Sequence, residues 1–258
     1  MTIDEMNARR REYGLTYEMI ATLSGVPVGT VQKVLGGITK SPRKETISKL
    51  ERTLSIDGTG ALSMHDGGVH ETERLVMKRQ GEYTVEDYIA LPDDQRYELI
   101  DGVLYGMAAP TATHQEIIGE VYFAMRSYIK NNKGPCKAYL SPFDVQLDMD
   151  DRTMVQPDVM VICDKSKIYK GKRLLGSPDF VCEVLSPSSI RKDMLLKYKK
   201  YKAAGVREYW IIDPELRQVN TYDFETGISG IYGFDCDIPV AIYGGKCTIN
   251  LSNVENME

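Results

Sequence analysis

Three acids interrupt otherwise apolar, strand-like runs in this chain: Glu98 in "YELIDGVLYGM", Asp158 in "QPDVMVICD" and Glu183 in "DFVCEVLSPSS". An ionised carboxylate in an apolar strand costs several kcal/mol unless a partner relieves it. Any one of them alone reads as an edge residue or an ion-pair partner. If a sheet brought them within about 4 Å, each ionised pair would repel by about 4 kcal/mol at an effective dielectric of about 20, and only a cation or a proton would offset that. A set of carboxylate oxygens suits Mg²⁺ or Mn²⁺, which usually complete their shells with water and phosphate.

A lysine stands near this set in sequence. In "SSIRKDMLLKYKKYKAAG", Met194, Lys197, Tyr198 and Tyr201 recur at i, i+3, i+4 and i+7, which puts Lys197 on the apolar stripe of a helix expected over 190–204 and closed by Gly205. Its ammonium could snorkel to water, or orient an attacking water and steady negative charge on phosphorus. Lys192, Lys199, Lys200 and Lys202 fall elsewhere and read as a solvated basic face. The run "KSKIYKGKR" at 165–173 reads either as a solvated turn or as a segment that tracks a phosphate backbone.

The elements that would position these groups occupy residues 81–258. The order is a helix at "TVEDYIALP", a hairpin turned at Asp101–Gly102, an amphipathic helix over about 113–131 and strands at "KAYLSPFDVQLD", "PDVMVICD" and "DFVCEVLSP". The helix bearing Lys197 follows, then "EYWIIDP", "QVNTYDFE" and a strand-like end. The fold class expected is α/β, of mixed α+β character, with a mixed central sheet flanked by helices. Trp210 is expected in its core.

Residues 1–56 read differently. In "LTYEMIATLSGVPVGTVQKVLGG", Thr16 is a candidate N-cap, with Met19, Ile20 and Leu23 inward; Gly25 turns the chain and Pro27 starts a second helix whose Val31, Val34 and Leu35 face the same small core. A further helix, "PRKETISKLERTL", carries Ile47, Leu50 and Leu54 on one stripe. This small all-α unit resembles the helix-turn-helix of the lambda-repressor and Cro class, which implies that Val28, Gly29, Thr30, Gln32 and Lys33 face the DNA major groove. Arg9, Arg10, Arg11, Lys40, Arg43 and Lys44 could supply phosphate contacts. Residues 1–55 hold nine Lys and Arg against six Asp and Glu in a chain of net charge −5, so the small end is the basic one. Residues 57–80, rich in glycine, read as a linker.

The run from "QPDVMV" through "DFVCEVLSPSS", a helix with Asp193 and Lys197, and "AGVREYWIIDP" closely resembles the Uma-type restriction endonuclease family of the PD-(D/E)xK nuclease superfamily. The likeness spans about 82–245 and includes "YELIDGVLY" and "TATHQEI". It implies a restriction-endonuclease-like fold, a divalent metal (Mg²⁺ or Mn²⁺) and hydrolysis of DNA phosphodiester bonds. Asp158 and Glu183 match the two acids of the superfamily pattern, and Glu98 matches an extra acid that would join them as a metal ligand. His114 would contact phosphate or brace the site. Where the superfamily places a lysine two residues after the second acid, this chain has Leu185, and Lys197 on the following helix is the replacement the Uma-type sequences imply.

Cys136, Cys163, Cys182, Cys236 and Cys247 form no CxxC pair, which argues against zinc and for reduced, buried thiols. With no apolar run of membrane length and no apolar stretch after "MTIDEMNARRREYG", a cytoplasmic protein is expected. Helix-turn-helix modules and enzymes that cut both strands both favour a homodimer. Two other readings stay open: a DNA-binding regulator whose nuclease-like domain is inactive and serves dimerisation or ligand binding, and an interaction protein whose acids form an ion-pair network with Lys197 and His114.

Overall fold

The computed structural model describes residues 1–12, 15, 17–39, 41–54, 78–92, 96–147, 150–186 and 192–255. Thr16, the Met19 side chain, Lys40 and most of the expected linker lie outside them. Two compact units result: Met1–Glu73 with Ile190–Tyr198, and Arg74–Ser189 with Lys199–Glu258.

Among the described residues, the N-terminal part of the first unit holds α1 (Ile3–Glu12), α2 (Tyr17–Ser24), α3 (Val28–Leu35) and α4 (Lys44–Leu54). Gly25, at φ +65°, makes the turn between α2 and α3 in a conformation that penalises any side chain. Pro27 precedes α3 with φ −53°, already set for a helix start. Met6, Leu15, Ile20, Val31, Val34, Leu35, Leu50 and Leu54 are buried, so the stripe expected on α3 and the Leu50 and Leu54 part of that on α4 form the core, with Ile47 half-buried. The Asn7 side-chain amide donates to the Leu35 carbonyl at 2.7 Å and helps close the end of α3.

The second unit opens with α5 (Val85–Ile89), started by a capping box in which Thr84 and Asp87 satisfy each other's backbone N–H. Strands β1 (Tyr97–Ile100) and β2 (Val103–Gly106) form a hairpin whose turn residues Asp101 and Gly102 both take positive φ, as a tight two-residue turn requires. Helix α6 (Ala112–Asn131) starts at Thr111, whose hydroxyl accepts from the His114 N–H. The run "KAYLSPFDVQLD" divides into β3 (Lys137–Leu140) and β4 (Asp144–Gln146), which join different sheets. There follow β5 (Val159–Ile162), β6 (Ile168–Tyr169), β7 (Arg173–Leu175) and β8 (Phe180–Val184).

The expected helix over 190–204 begins, among the described residues, as a wider π-type segment, Lys192–Lys197, before becoming α7 (Tyr198–Ala204). Asp193, Met194, Leu195, Lys197 and Tyr198, which group with the first unit, are buried, and so is Tyr201 of the second. Then come β9 (Glu208–Asp213), β10 (Gln218–Asp223), β11 (Ser229–Gly233), β12 (Ile238–Pro239) and β13 (Thr248–Ile249).

The main sheet has six strands in the order β11-β10-β9-β8-β5-β3, antiparallel except for the β8–β9 pair. On one face, Ile117, Val121, Met125 and Ile129 of α6 meet Val159, Val161, Phe180, Cys182 and Trp210. The four apolar side chains of β5 are fully enclosed, each stabilising the fold by about 1.5–3 kcal/mol relative to exposure. The opposite face carries Tyr201, Tyr209, Tyr222 and Phe224, with the Tyr201 and Tyr209 rings 5.0 Å apart. A smaller sheet has the order β4-β7-β6. The expectation of five reduced cysteines is corrected: Cys136 and Cys163 form a disulfide. They lie one residue beyond the Lys137↔Ile162 pair of β3 and β5, so antiparallel register brings the two side chains together.

Candidate active site

Register brings the two strand acids to one place. Val159 of β5 pairs with Cys182 of β8, so continuing the register by one residue sets Asp158, immediately before β5, opposite Glu183. The Asp158 carboxylate reaches across: its Oδ2 accepts the Val184 N–H at 2.8 Å. His114, in the first turn of α6, lies with Nε2 3.1 Å from the Val184 carbonyl and 3.4 Å from Asp158 Oδ2. A proton on Nε2 lets the ring donate to that carbonyl, so both polar groups of the Val184 peptide are held, one by each candidate side chain.

Glu183 is 2% exposed, and the Tyr201 hydroxyl of α7 donates to its Oε1 at 2.6 Å, a short contact of the kind a carboxylate acceptor gives. Burial, then the charges of Asp158 and Glu183, push the Cys182 thiol well above the ordinary range, as two carboxylates beside one residue should.

Glu98 is fully buried and accepts the Gln156 N–H at 3.0 Å, so it braces the backbone immediately before Pro157 and Asp158. Gln156 extends a network that composition did not reveal. Its side-chain amide donates to Asp144 Oδ1 and to the Tyr88 hydroxyl, both at 2.9 Å, and its Oε1 accepts from Arg96 at 3.0 Å. Tyr88 also donates to Asp144 Oδ1 at 2.9 Å. Burial first, then the Asp144 charge, raises the Tyr88 phenol and keeps it a donor. Asp144, Tyr88, Gln156 and Tyr201 were not legible as site residues; the one signal for Gln156 was its position next to the Pro157–Asp158 step.

Lys197 is 2% exposed and pairs with Asp193 at 3.3 Å within its own segment, the i, i+4 partner its sequence supplies. Leu185 is buried. Lys200, expected on a solvated face, pairs with Asp101 in the β1–β2 turn at 2.5 Å.

In the first unit, Val28, Gly29, Gln32 and Lys33 are exposed and Thr30 is partly so, while Val31, Val34 and Leu35 turn inward. The five candidate groove-facing residues therefore share the outer side of α3.

Among the described residues no three His, Cys, Asp or Glu side chains converge in a way that could hold a metal ion, so the expected three-acid cage is not preformed there. What the donor set offers is a pair of carboxylates on adjacent strands. Mg²⁺ is commonly held by one or two carboxylates, with water and a phosphate completing its octahedron, and Asp158 with Glu183 fit that requirement.

Residues 85–232, more than half of the chain, match the Uma2 family, whose description is "Putative restriction endonuclease", and the chain belongs to that family. Residues 6–59 match a helix-turn-helix family. Among solved structures, a chain from Anabaena variabilis titled "putative nuclease belonging to DUF820" superposes with a TM-score of 0.55 at 20% identity, covering 66% of this chain and 96% of that one. That likeness shows a shared fold. No curated protein matches the chain. Among the described residues no helix is long and apolar enough to cross a membrane.

Proposed function

We propose that the protein is a divalent-metal-dependent DNA endonuclease directed to DNA by its helix-turn-helix unit. The observation that carries this reading is the opposition of Asp158 and Glu183 across β5 and β8, with Asp158 oriented by the Val184 N–H and Glu183 by the Tyr201 hydroxyl. Asp158 and Glu183 are the residues that would hold Mg²⁺ or Mn²⁺. When bound, the ion would supply Lewis-acid polarisation of the phosphoryl oxygen and a water of lowered pKa.

The chain's own groups do the remaining work. Glu98 fixes the Gln156 backbone and thereby the entry to Asp158; in the three-acid form of the proposal it also joins the ligand set. His114 holds the Val184 carbonyl and, in this reading, contacts a phosphate oxygen. Lys197, in the position that the Uma-type sequences give to their lysine, orients the attacking water and offsets charge on the phosphorane-like transition state. No covalent enzyme nucleophile is required. On α3, Gln32 and Lys33 are the side chains able to read base edges, and Val28, Gly29 and Thr30 allow close approach to the groove.

The test is cleavage of supercoiled plasmid by the full chain in Mg²⁺ and in Mn²⁺. Nicking or linearisation that disappears on chelation, and in Asp158→Ala and Lys197→Met, supports the nuclease. The second reading, a DNA-binding regulator with an inactive nuclease-like domain, is favoured by Leu185 where the superfamily pattern has a lysine. DNA binding without cleavage in either metal would establish it instead.

A further inference from the structure

The basic run at 165–173 has a definite shape that neither the carboxylate site nor α3 uses. Asp164 caps a single helical turn, Lys165–Lys167, and the chain then forms the β6–β7 hairpin, with Lys170 and Gly171 at positive φ in its turn. Five cations, Lys165, Lys167, Lys170, Lys172 and Arg173, stand in nine residues with no acid among them, in a chain whose net charge is −5. The hairpin walls a groove of about 720 Å³ whose lining includes Lys167, Tyr169, Lys170, Leu175, Ser177 and Ala204. Tyr169 is 41% exposed, with the Lys170 ammonium 5.1 Å and the Arg173 guanidinium 5.3 Å from its ring centre. The ring therefore holds two cations at the rim.

Two connections tie the groove to the carboxylates. The parallel pairing of β4 with β7 sets Arg173 beside Asp144, the acid of the Gln156 network. The helix that ends at the groove with Ala203 and Ala204 is the one whose Tyr201 hydroxyl holds Glu183, and three residues of helix rise span only about 4.5 Å. Ala204 is thus about one helical turn from Tyr201, which joins the groove's lining to the element that holds Glu183.

We propose that the β6–β7 hairpin and its groove form a second DNA contact, separate from α3, that takes backbone phosphates flanking the reactive one. For its placement beside a scissile phosphate the proposal rests on the nuclease reading; the contact with DNA does not. The ligand is the phosphodiester backbone itself. An open, cation-rimmed groove with hydroxyls in its walls provides charge and hydrogen-bond donors without the shaped base-edge donors that sequence readout needs.

The test uses the full chain and a labelled duplex, with binding followed by fluorescence anisotropy from about 50 to 200 mM salt. Lys165→Gln/Lys170→Gln/Lys172→Gln neutralises exposed cations and leaves Lys167, which donates to the Ser177 carbonyl, and Arg173 in place. Each phosphate contact adds about 0.9 to the slope of log K against log salt. The triple variant should lower that slope by about 2–3 and weaken binding at least tenfold at about 100 mM salt, additively with Lys33→Ala. An unchanged slope in a variant with wild-type circular dichroism, or a loss already contained in Lys33→Ala, would overturn the proposal. Plasmid cleavage separates the two readings: cleavage with an indifferent hairpin sinks the second contact alone, and hairpin-dependent binding without cleavage sinks the nuclease alone.

Discussion

Tyr201 and Glu183 make a short polar contact of 2.6 Å, and its energetics follow from burial. The carboxylate is almost fully enclosed, so removing its donor leaves charge without that compensation. Tyr201→Phe is expected to destabilise the fold by about 1–3 kcal/mol in urea denaturation. It should also reduce cleavage through misorientation of Glu183, raising the metal concentration needed for half-maximal rate. Loss of stability with an unchanged metal requirement would make the hydroxyl structural only. Asp158 and Glu183 were readable from sequence because acids in apolar strands demand a partner. Tyr88, Asp144 and Gln156 were not, since polar residues in mixed segments are ordinary until a fold brings them together. Glu98 was legible as an acid, but its partner, a backbone N–H 58 residues away, was not.

At the scale of elements, β9 contains a carboxylate that the mechanism does not use. Glu208 is 1% exposed, and burial raises its pKa above the ordinary 4.5 despite hydrogen bonds from Trp210 Nε1 and the Ile242 N–H. A raised carboxylate pKa favours the protonated form in the fold. Its stabilising contribution is complete below the unfolded value and is lost as pH rises through the folded one. The melting temperature of wild type minus that of Glu208→Gln should therefore fall as pH rises above the ordinary carboxylate value of 4.5. The amide, facing an N–H donor, adds an offset that does not vary with pH. A difference that is flat or rises with pH would contradict this account.

The disulfide belongs to the same scale. It ties edge strand β3 to β5 across 27 residues, and closing such a loop is worth about 3–4 kcal/mol by chain entropy. Cys136→Ser/Cys163→Ser should lower the denaturation midpoint accordingly, and wild type in reductant should match it. Counting cysteines could not show this pair, because pairing depends on the β3–β5 register. The main-sheet strands, the Asp101–Gly102 hairpin and α6 were legible, since each carries its own period or turn chemistry, whereas the β6–β7 hairpin lay in a run read as a turn. The π-type start of the Lys197 segment was not, because an apolar stripe at α-helical spacing gives no sign of a wider turn.

For the molecule as a whole, a helix-turn-helix unit and a restriction-endonuclease-like unit in one chain predict a homodimer formed through the C-terminal domain. Light scattering after gel filtration at micromolar concentration should give twice the chain mass of 29.1 kDa, and a clean monomer would contradict it. The central claim concerns the carboxylates of β5 and β8, and calorimetric titration of Mn²⁺ into the full chain tests it most directly. The account predicts saturable binding in wild type that is lost in Asp158→Ala while the circular dichroism spectrum is retained. No binding in wild type, or equal binding in the variant, would contradict it.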